Sequence, residues 1–183
     1  MNMSLRCGCA AASDAFIAIE LADDLQALQC EACAGTALNL GDYQRWRVRS
    51  PQPLAADIVT LPQDGDADSR VRACPNCARL MQRYRPATEL EFWLDRCAPC
   101  QLVWFDRDEW TALSDLGLAG RLRDVLTDAW QRQLRDDEID QQREVALRAR
   151  HGAACMDELA RMRDWLDAQP QRDELLALLR AGW

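Results

Sequence analysis

From Leu90 to Asp95 the chain alternates, with Leu90, Phe92 and Leu94 set against Glu91, Trp93 and Asp95. A period of two predicts a strand running into Cys97. Ile17, Ile19 and Leu21 alternate in the same way, and Asp23-Asp24 predicts the turn that folds this strand back. Arg83-Tyr84-Arg85-Pro86 precedes the second strand, with a turn expected at Ala87-Thr88. From residue 107 the period changes: glycine and proline become rare, and Leu, Ala, Arg, Asp and Gln dominate. A short helix is expected over 107–116, stopped at Gly117, and a long one over 119–150, ended by Gly152. Leu122, Val125, Leu126, Ala129 and Trp130 form its apolar stripe, which fades through Arg135-Asp136-Asp137-Glu138. A third helix carries Cys155, Leu159, Met162 and Leu166 on one face. Pro170 suits the first turn of a last helix holding Leu175, Leu176, Leu178 and Leu179. The fold class expected is α+β: small β-hairpin units followed by an α-helical C-terminal region.

The cysteines sharpen this picture. They stand at 7, 9, 30, 33, 74, 77, 97, 100 and 155, so eight of the nine form four close pairs. Adding 67 to Cys7, Cys30 and Cys33 gives Cys74, Cys97 and Cys100, which marks an internal repeat. Only Cys9 is out of step, mapping to Asn76 and not to Cys77. Leu38 aligns with Phe105, Asn39 with Asp106, Asp42 with Glu109 and Tyr43 with Trp110. Asp106 and Glu109 carry the spacing of a helix N-cap with a reciprocating acid; Asn39 and Asp42 are a weaker copy. Each repeat therefore reads as a knuckle, a hairpin, a second knuckle, a strand and a helix start. The divisions expected are a first ribbon at 1–49, a linker at 50–70 rich in proline and acid, a second ribbon at 71–116 and a helical tail at 117–183.

Composition then selects the chemistry. No apolar run approaches the ~18 residues of a membrane span, and no secretory h-region opens the chain. A cytoplasmic location follows as the expectation; thiols stay reduced there, and clustered cysteines are metal ligands more often than disulfides. Zinc prefers four tetrahedral ligands and binds thiolate strongly. Cys74, Cys77, Cys97 and Cys100 have the spacing for one zinc ion. Cys7, Cys9, Cys30 and Cys33 would hold a second, with Gly8 making the tighter turn that the short first pair needs. Both sites would be closed, holding structure without catalysing. The alternatives are a redox dithiol or unliganded core cysteines at the second site and, at the first, a degenerate ribbon that lost its metal or a weakly held ion.

The stretch C-P-N-C-A-R-L-M-Q-R-Y-R, followed by W-L-D-R-C-A-P-C-Q-L-V-W-F-D-R-D-E-W, resembles the transcription factor IIB-type zinc-ribbon family of small bacterial proteins. Cys74, Cys77, Cys97 and Cys100 match that family's metal positions; Leu80, Asp95, Trp104, Asp106 and Glu109 match the surrounding pattern. The family places glycines after the last cysteine, where Gln101 and Leu102 stand here; Gly35 keeps one in the first repeat. The resemblance covers 71–113 closely, 5–46 loosely and the helical tail not at all. It implies a zinc ribbon and a link to transcription, and no particular reaction.

Charge and the remaining residues bound the function. All 22 basic residues are arginine, against 30 acids, for a formal charge of -8. Eight thiolates and two divalent ions would take that to about -12, a poor background for phosphate binding. Two arginine patches run against it: Arg45, Trp46, Arg47 and Arg49, and then Arg72, Arg79, Arg83 and Arg85. They could touch phosphates and stack bases, or simply mark solvated faces. Trp93 and Trp110 read as contact aromatics, and Trp104 as core. The single histidine, His151, lies four residues before Cys155, but Gly152 breaks the face between them, so no enzyme is expected. The leading expectation is a zinc-binding adaptor that acts on another macromolecule, a protein in the first place. A nucleic-acid-binding regulator is the alternative.

Overall fold

The computed structural model describes residues 5–50 and 71–182; the expected linker, Ser50 apart, lies outside them. The chain divides into two compact units, residues 1–134 and 135–183.

The first unit is built on a six-stranded antiparallel sheet. Its strands are β1 (Phe16–Ala22), β2 (Leu25–Cys30), β3 (Thr36–Asn39), β4 (Gln82–Tyr84), β5 (Leu94–Cys97) and β6 (Leu102–Phe105), in the order β1-β2-β3-β6-β5-β4. The expected turn at Asp23-Asp24 closes the β1–β2 hairpin, with Asp24 in the left-handed region at φ 63°. The alternation survives as burial from Leu90 to Leu94, since Leu90, Phe92 and Leu94 are inside and Glu91 and Trp93 outside; Asp95, expected on the polar face, is buried as well. Strand pairing, however, begins only at Leu94.

The two repeats are halves of one sheet. They meet where β3 pairs with β6, and Ala37 lies opposite Trp104. These two positions are 67 apart, which is the repeat offset, so equivalent residues face each other across a pseudo-twofold axis. Thr36 opposite Phe105 and Leu38 opposite Val103 are the flanking pairs that such an axis exchanges.

Strand alternation sends side chains into two cores. On one face Leu38, Leu94, Val103 and Phe105 meet α1 (Leu40–Arg49), α2 (Glu109–Asp115), a 3-10 turn (Ala119–Arg121) and α3 (Leu122–Val125). Tyr43 joins these helices: its hydroxyl donates to Ala119 O at 2.8 Å and accepts from Leu122 N at 3.2 Å. On the other face Ala37, Leu102 and Trp104 pack with the paired cysteines.

The helix starts reverse the expected ranking. Asn39, the weaker copy, is the side chain that caps, accepting from Gly41 N at 2.8 Å and Asp42 N at 3.3 Å. The Asp106 side chain makes no cap. Its carboxylate is turned to Trp104 Nε1 at 2.9 Å and Arg72 Nη2 at 2.7 Å. Glu109 keeps its half of the box, accepting from Asp106 N at 2.8 Å. The long helix expected over 119–150 is broken. Thr127 accepts from Trp130 N at 3.2 Å and so caps a new helix, α4 (Asp128–His151).

Beyond residue 134 lie the rest of α4, then α5 (Ala153–Asp167) and α6 (Arg172–Ala181). Gly152, at φ 85°, ends α4 and leaves His151 and Cys155 exposed on different helices. In this second unit Leu166 is the one buried residue among those described, while Leu159, Met162, Trp165, Leu178 and Leu179 are exposed. No described helix is long and apolar enough to cross a membrane.

Burial pushes the Glu109 carboxyl up from its ordinary 4.5 to about 8. The folded protein then binds this proton more tightly than the unfolded chain does. Stability is therefore lost as pH rises from the ordinary value through about 8. We expect the wild type to lose stability relative to Glu109→Gln between about pH 6 and 8, by at most about 1.4 kcal/mol per pH unit. Denaturant midpoints of both proteins, with metal in excess, measure it; a gap that does not change with pH contradicts it.

Candidate metal centres

Three of the four cysteine pairs sit on turns that the residue after the second cysteine closes with a backbone hydrogen bond, to the first cysteine's carbonyl in two of them and one residue later in the third. Ala34 N donates to Cys30 O and Ala78 N to Cys74 O, both at 2.9 Å; Gln101 N donates to Ala98 O at 3.2 Å. The residue after the second cysteine of these pairs lies in the left-handed region: Ala34 at φ 59°, Ala78 at 57° and Gln101 at 50°. Glycine is at ease there, whereas other residues sit about 1 kcal/mol uphill. The Cys7-Gly8-Cys9 turn differs from expectation. Gly8 is not in that region; Ala12, at φ 45°, closes the loop by donating to Cys9 O at 2.8 Å.

These turns bring the eight cysteines together as two groups. The sulfurs of Cys7, Cys9, Cys30 and Cys33 lie within 4.8 Å of one another, as do those of Cys74, Cys77, Cys97 and Cys100. Within them Cys7 and Cys33 are 3.6 Å apart, and Cys77 and Cys97 also 3.6 Å. A disulfide needs about 2.05 Å. Four sulfurs about 2.3 Å from one tetrahedral zinc ion stand about 3.8 Å apart, so both groups fit such an ion. The first pair's missing residue does not prevent it.

The surroundings suit thiolates held by a cation. Backbone N–H groups point at sulfur from Gly35 to Cys33 and from Asn76 to Cys74, each at 3.4 Å. The Asn76 side-chain amide adds a donor to Cys100 at 3.2 Å. In each group one thiol is pulled down to about 7: Cys9, chiefly by backbone hydrogen bonding at Ser13, and Cys77, chiefly by that at Arg79. Burial pushes Cys7, Cys33 and Cys74 up, and Cys97 up to about 12. A bound cation favours the ionised form of all of them. When present, the metal would supply a fixed crosslink, with no open position for a substrate.

The two groups are wired to each other. Arg6 N donates to Pro75 O at 2.8 Å, joining the first turns of the two sites. Leu40 N donates to Gln101 O at 2.8 Å, joining the first repeat to the last turn of the second. Trp104, 1 % exposed, crosses from β6 onto Gly35 and meets Phe16 edge-on with centroids 6.3 Å apart. A Cβ at Gly35 would stand 2.2 Å from Trp104 Cζ2. The sequence carries no direct signal for this contact or for the shared cysteine-side core, although Trp104 and Gly35 each stand out within their own repeats.

The arginine patches are dispersed by their partners. Trp46 is 2 % exposed and its Nε1 donates to Asp23 O at 3.0 Å, so its ring is not offered to a base. Arg45 pairs with Asp42, Arg47 donates to Ser50 O at 2.7 Å, and Arg49 is exposed. Arg72 is a structural residue: it stacks over Trp104 at 4.9 Å and lies 3.5 Å from Asp95, whose carboxyl burial raises to about 6. Arg83 lies over Trp93 at 5.3 Å, Arg85 donates to Thr88 O at 2.7 Å, and Arg79 is exposed. Trp110, expected as a contact aromatic, is 7 % exposed and donates to Leu21 O at 2.9 Å. Trp93 stays 40 % exposed.

Compared with family models, with curated proteins and with solved structures, the chain matches none.

Metal analysis of the purified protein should return two zinc ions per chain, and chelation should abolish the cooperative unfolding transition of the first unit. Retention of that transition by the metal-free chain would contradict a structural role. Gly35→Ala should lower stability by about 2 kcal/mol or more, because the rigid indole cannot yield to the new methyl group. Chemical denaturation of the metal-loaded protein measures it, and a change below about 0.5 kcal/mol would contradict the packing described.

Proposed function

We propose that this protein is a non-enzymatic adaptor that binds another protein, with two zinc ions as structural crosslinks. The carrying observation is the pair of closed four-cysteine groups on one face of the sheet, each with two buried cysteines, together with a second unit that exposes several large apolar side chains. Four thiolates fill a tetrahedral ion, leaving no place for water or substrate. Leu159, Met162, Trp165, Leu178 and Leu179 supply exposed apolar area of the kind that protein contacts cover. Zinc is the ion that a four-thiolate group best suits, and the transcription factor IIB-type ribbon is the family pattern that residues 71–113 resemble. A cytoplasmic setting, where thiols stay reduced, would suit this ligation.

A protein partner is preferred to nucleic acid on charge and on side-chain engagement. The formal charge is -8 before the thiolates are counted. Trp46 is inside the core, and Arg45 and Arg72 are paired with carboxylates. Arg72, held inside by Asp95 and Asp106, is thereby withdrawn from phosphate binding, which needs many cationic contacts at once.

Zinc-loaded protein is expected to run through an electrophoretic or anisotropy assay with single-stranded RNA and duplex DNA at low salt without a shift. It is also expected to form a complex of defined stoichiometry, by light scattering, with a purified protein first recovered by affinity capture. Tight nucleic-acid binding that weakens steeply with salt would overturn this assignment in favour of a regulator.

A further inference from the structure

The pseudo-twofold sheet has two equivalent edges, β1 and β4, and they are treated differently. Just past β4, the outward backbone of Arg85 is paired by a side chain that imitates a strand. Arg85 N donates to Gln131 Oε1 at 3.0 Å, and Gln131 Nε2 donates back to Arg85 O at 2.8 Å. Trp130 Nε1 adds a bond to Pro86 O at 3.0 Å, and Pro86 itself has no N–H to offer. Among the described residues nothing comparable lies along β1, which is the longer edge at seven residues.

The outward groups of β1 can be named. Glu31 N donates to Ala15 O at 3.1 Å, which makes Ala15 and Glu31 a hydrogen-bonded pair. Bonded and non-bonded pairs alternate along an antiparallel ladder, so Ile17–Gln29 and Ile19–Ala27 are the next bonded pairs. The N–H and C=O groups of Phe16, Ala18 and Glu20 therefore point away from β2. The one irregularity in register, between Glu20 and Ala22, lies at the hairpin end, beyond Phe16 and Ala18. No proline or arginine blunts the edge, as unpaired edges usually require.

Charge and shape say what would pair there. From Cys7 to Gln44 the chain carries Asp14, Glu20, Asp23, Asp24, Glu31 and Asp42, and no basic residue at all. A second copy of the same edge would bring like charges together, so a basic strand is favoured over self-pairing. Ile17, 44 % exposed, and Ile19 line the face on which alternate side chains of an added strand would lie. A cavity of about 410 Å³ opens beside Ile19, Leu21 and Trp110, with Glu20, Asp108 and Arg107 also in its lining. A lysine or arginine can lay its aliphatic stem on such a floor and its charge against Asp108; Glu20 points to the other face of the strand and accepts from Asp24 N at 2.8 Å.

We propose that β1 is a docking edge that takes an extended, basic segment of a partner protein as a seventh strand. This rests on the adaptor reading and specifies its partner: main-chain bonds to Phe16, Ala18 and Glu20 would hold the segment, and alternate cationic side chains would select it.

The test pans a displayed library of random dodecapeptides against the zinc-loaded full chain. Enriched peptides should carry Lys or Arg at alternate positions. In amide exchange by NMR, a bound peptide should newly protect Phe16, Ala18 and Glu20, while Ile17 and Ile19 are already protected in the free protein. Ala18→Pro removes an outward N–H and leaves the β1–β2 bonds, so it should weaken binding at least tenfold. Asp108→Asn should weaken it several-fold and flatten its salt dependence. Peptides that bind without changing exchange at residues 16, 18 and 20 overturn the edge while leaving an adaptor in place. A library that yields no binder also overturns the edge; the adaptor reading then stands or falls on the purified-complex experiment.

Discussion

The first unit depends on one short antiparallel ladder, β3 against β6. Without it each repeat would be a three-stranded ribbon of about 45 residues, too small to bury an adequate core. With it the strands form a single sheet with two faces. One face collects α1, α2 and α3 into an apolar core, and the other collects both cysteine groups around Ala37, Leu102 and Trp104. The metal sites and the helical core are thus opposite sides of the same backbone, and loosening either face would strain the other. Trp104 carries much of this coupling, since it belongs to the second repeat yet packs on Gly35 of the first.

The division of labour between local and long-range information is visible in particular residues. The eight paired cysteines are legible because metal ligation needs fixed spacing, and both groups assemble as that spacing implies. The repeat is legible from the offset of 67 alone. Its meaning is not, because an offset says that two segments are alike and nothing about whether they touch. The turn at Asp23-Asp24 and the stop at Gly152 are local signals and stand in the structure.

Residues with several competing partners are harder to read. Asp106 has the spacing of a helix cap, but Arg72 and Trp104 compete for its carboxylate and win it. Trp46 and Trp110 look like interface aromatics between charged neighbours, yet each finds a backbone carbonyl and a buried place. Thr127 breaks what hydropathy alone presents as one helix, through two hydrogen bonds of its own side chain. Gln131 gives no signal at all, because an amide that imitates a strand is indistinguishable in sequence from any polar helix residue.

Halves related by a pseudo-twofold axis between Ala37 and Trp104 are geometrically the protomers of a symmetric dimer. Separate protomers would part as their concentration fell. Residues 50–70 join these two in one chain. A covalent connection makes their meeting intramolecular. The encounter between ribbons becomes a loop closure, whose cost grows only slowly with the tether's length. The sheet can then assemble at any abundance of the protein, and each half is free to diverge: Gln131 backs the chain beside one edge, and among the described residues nothing comparable backs the other.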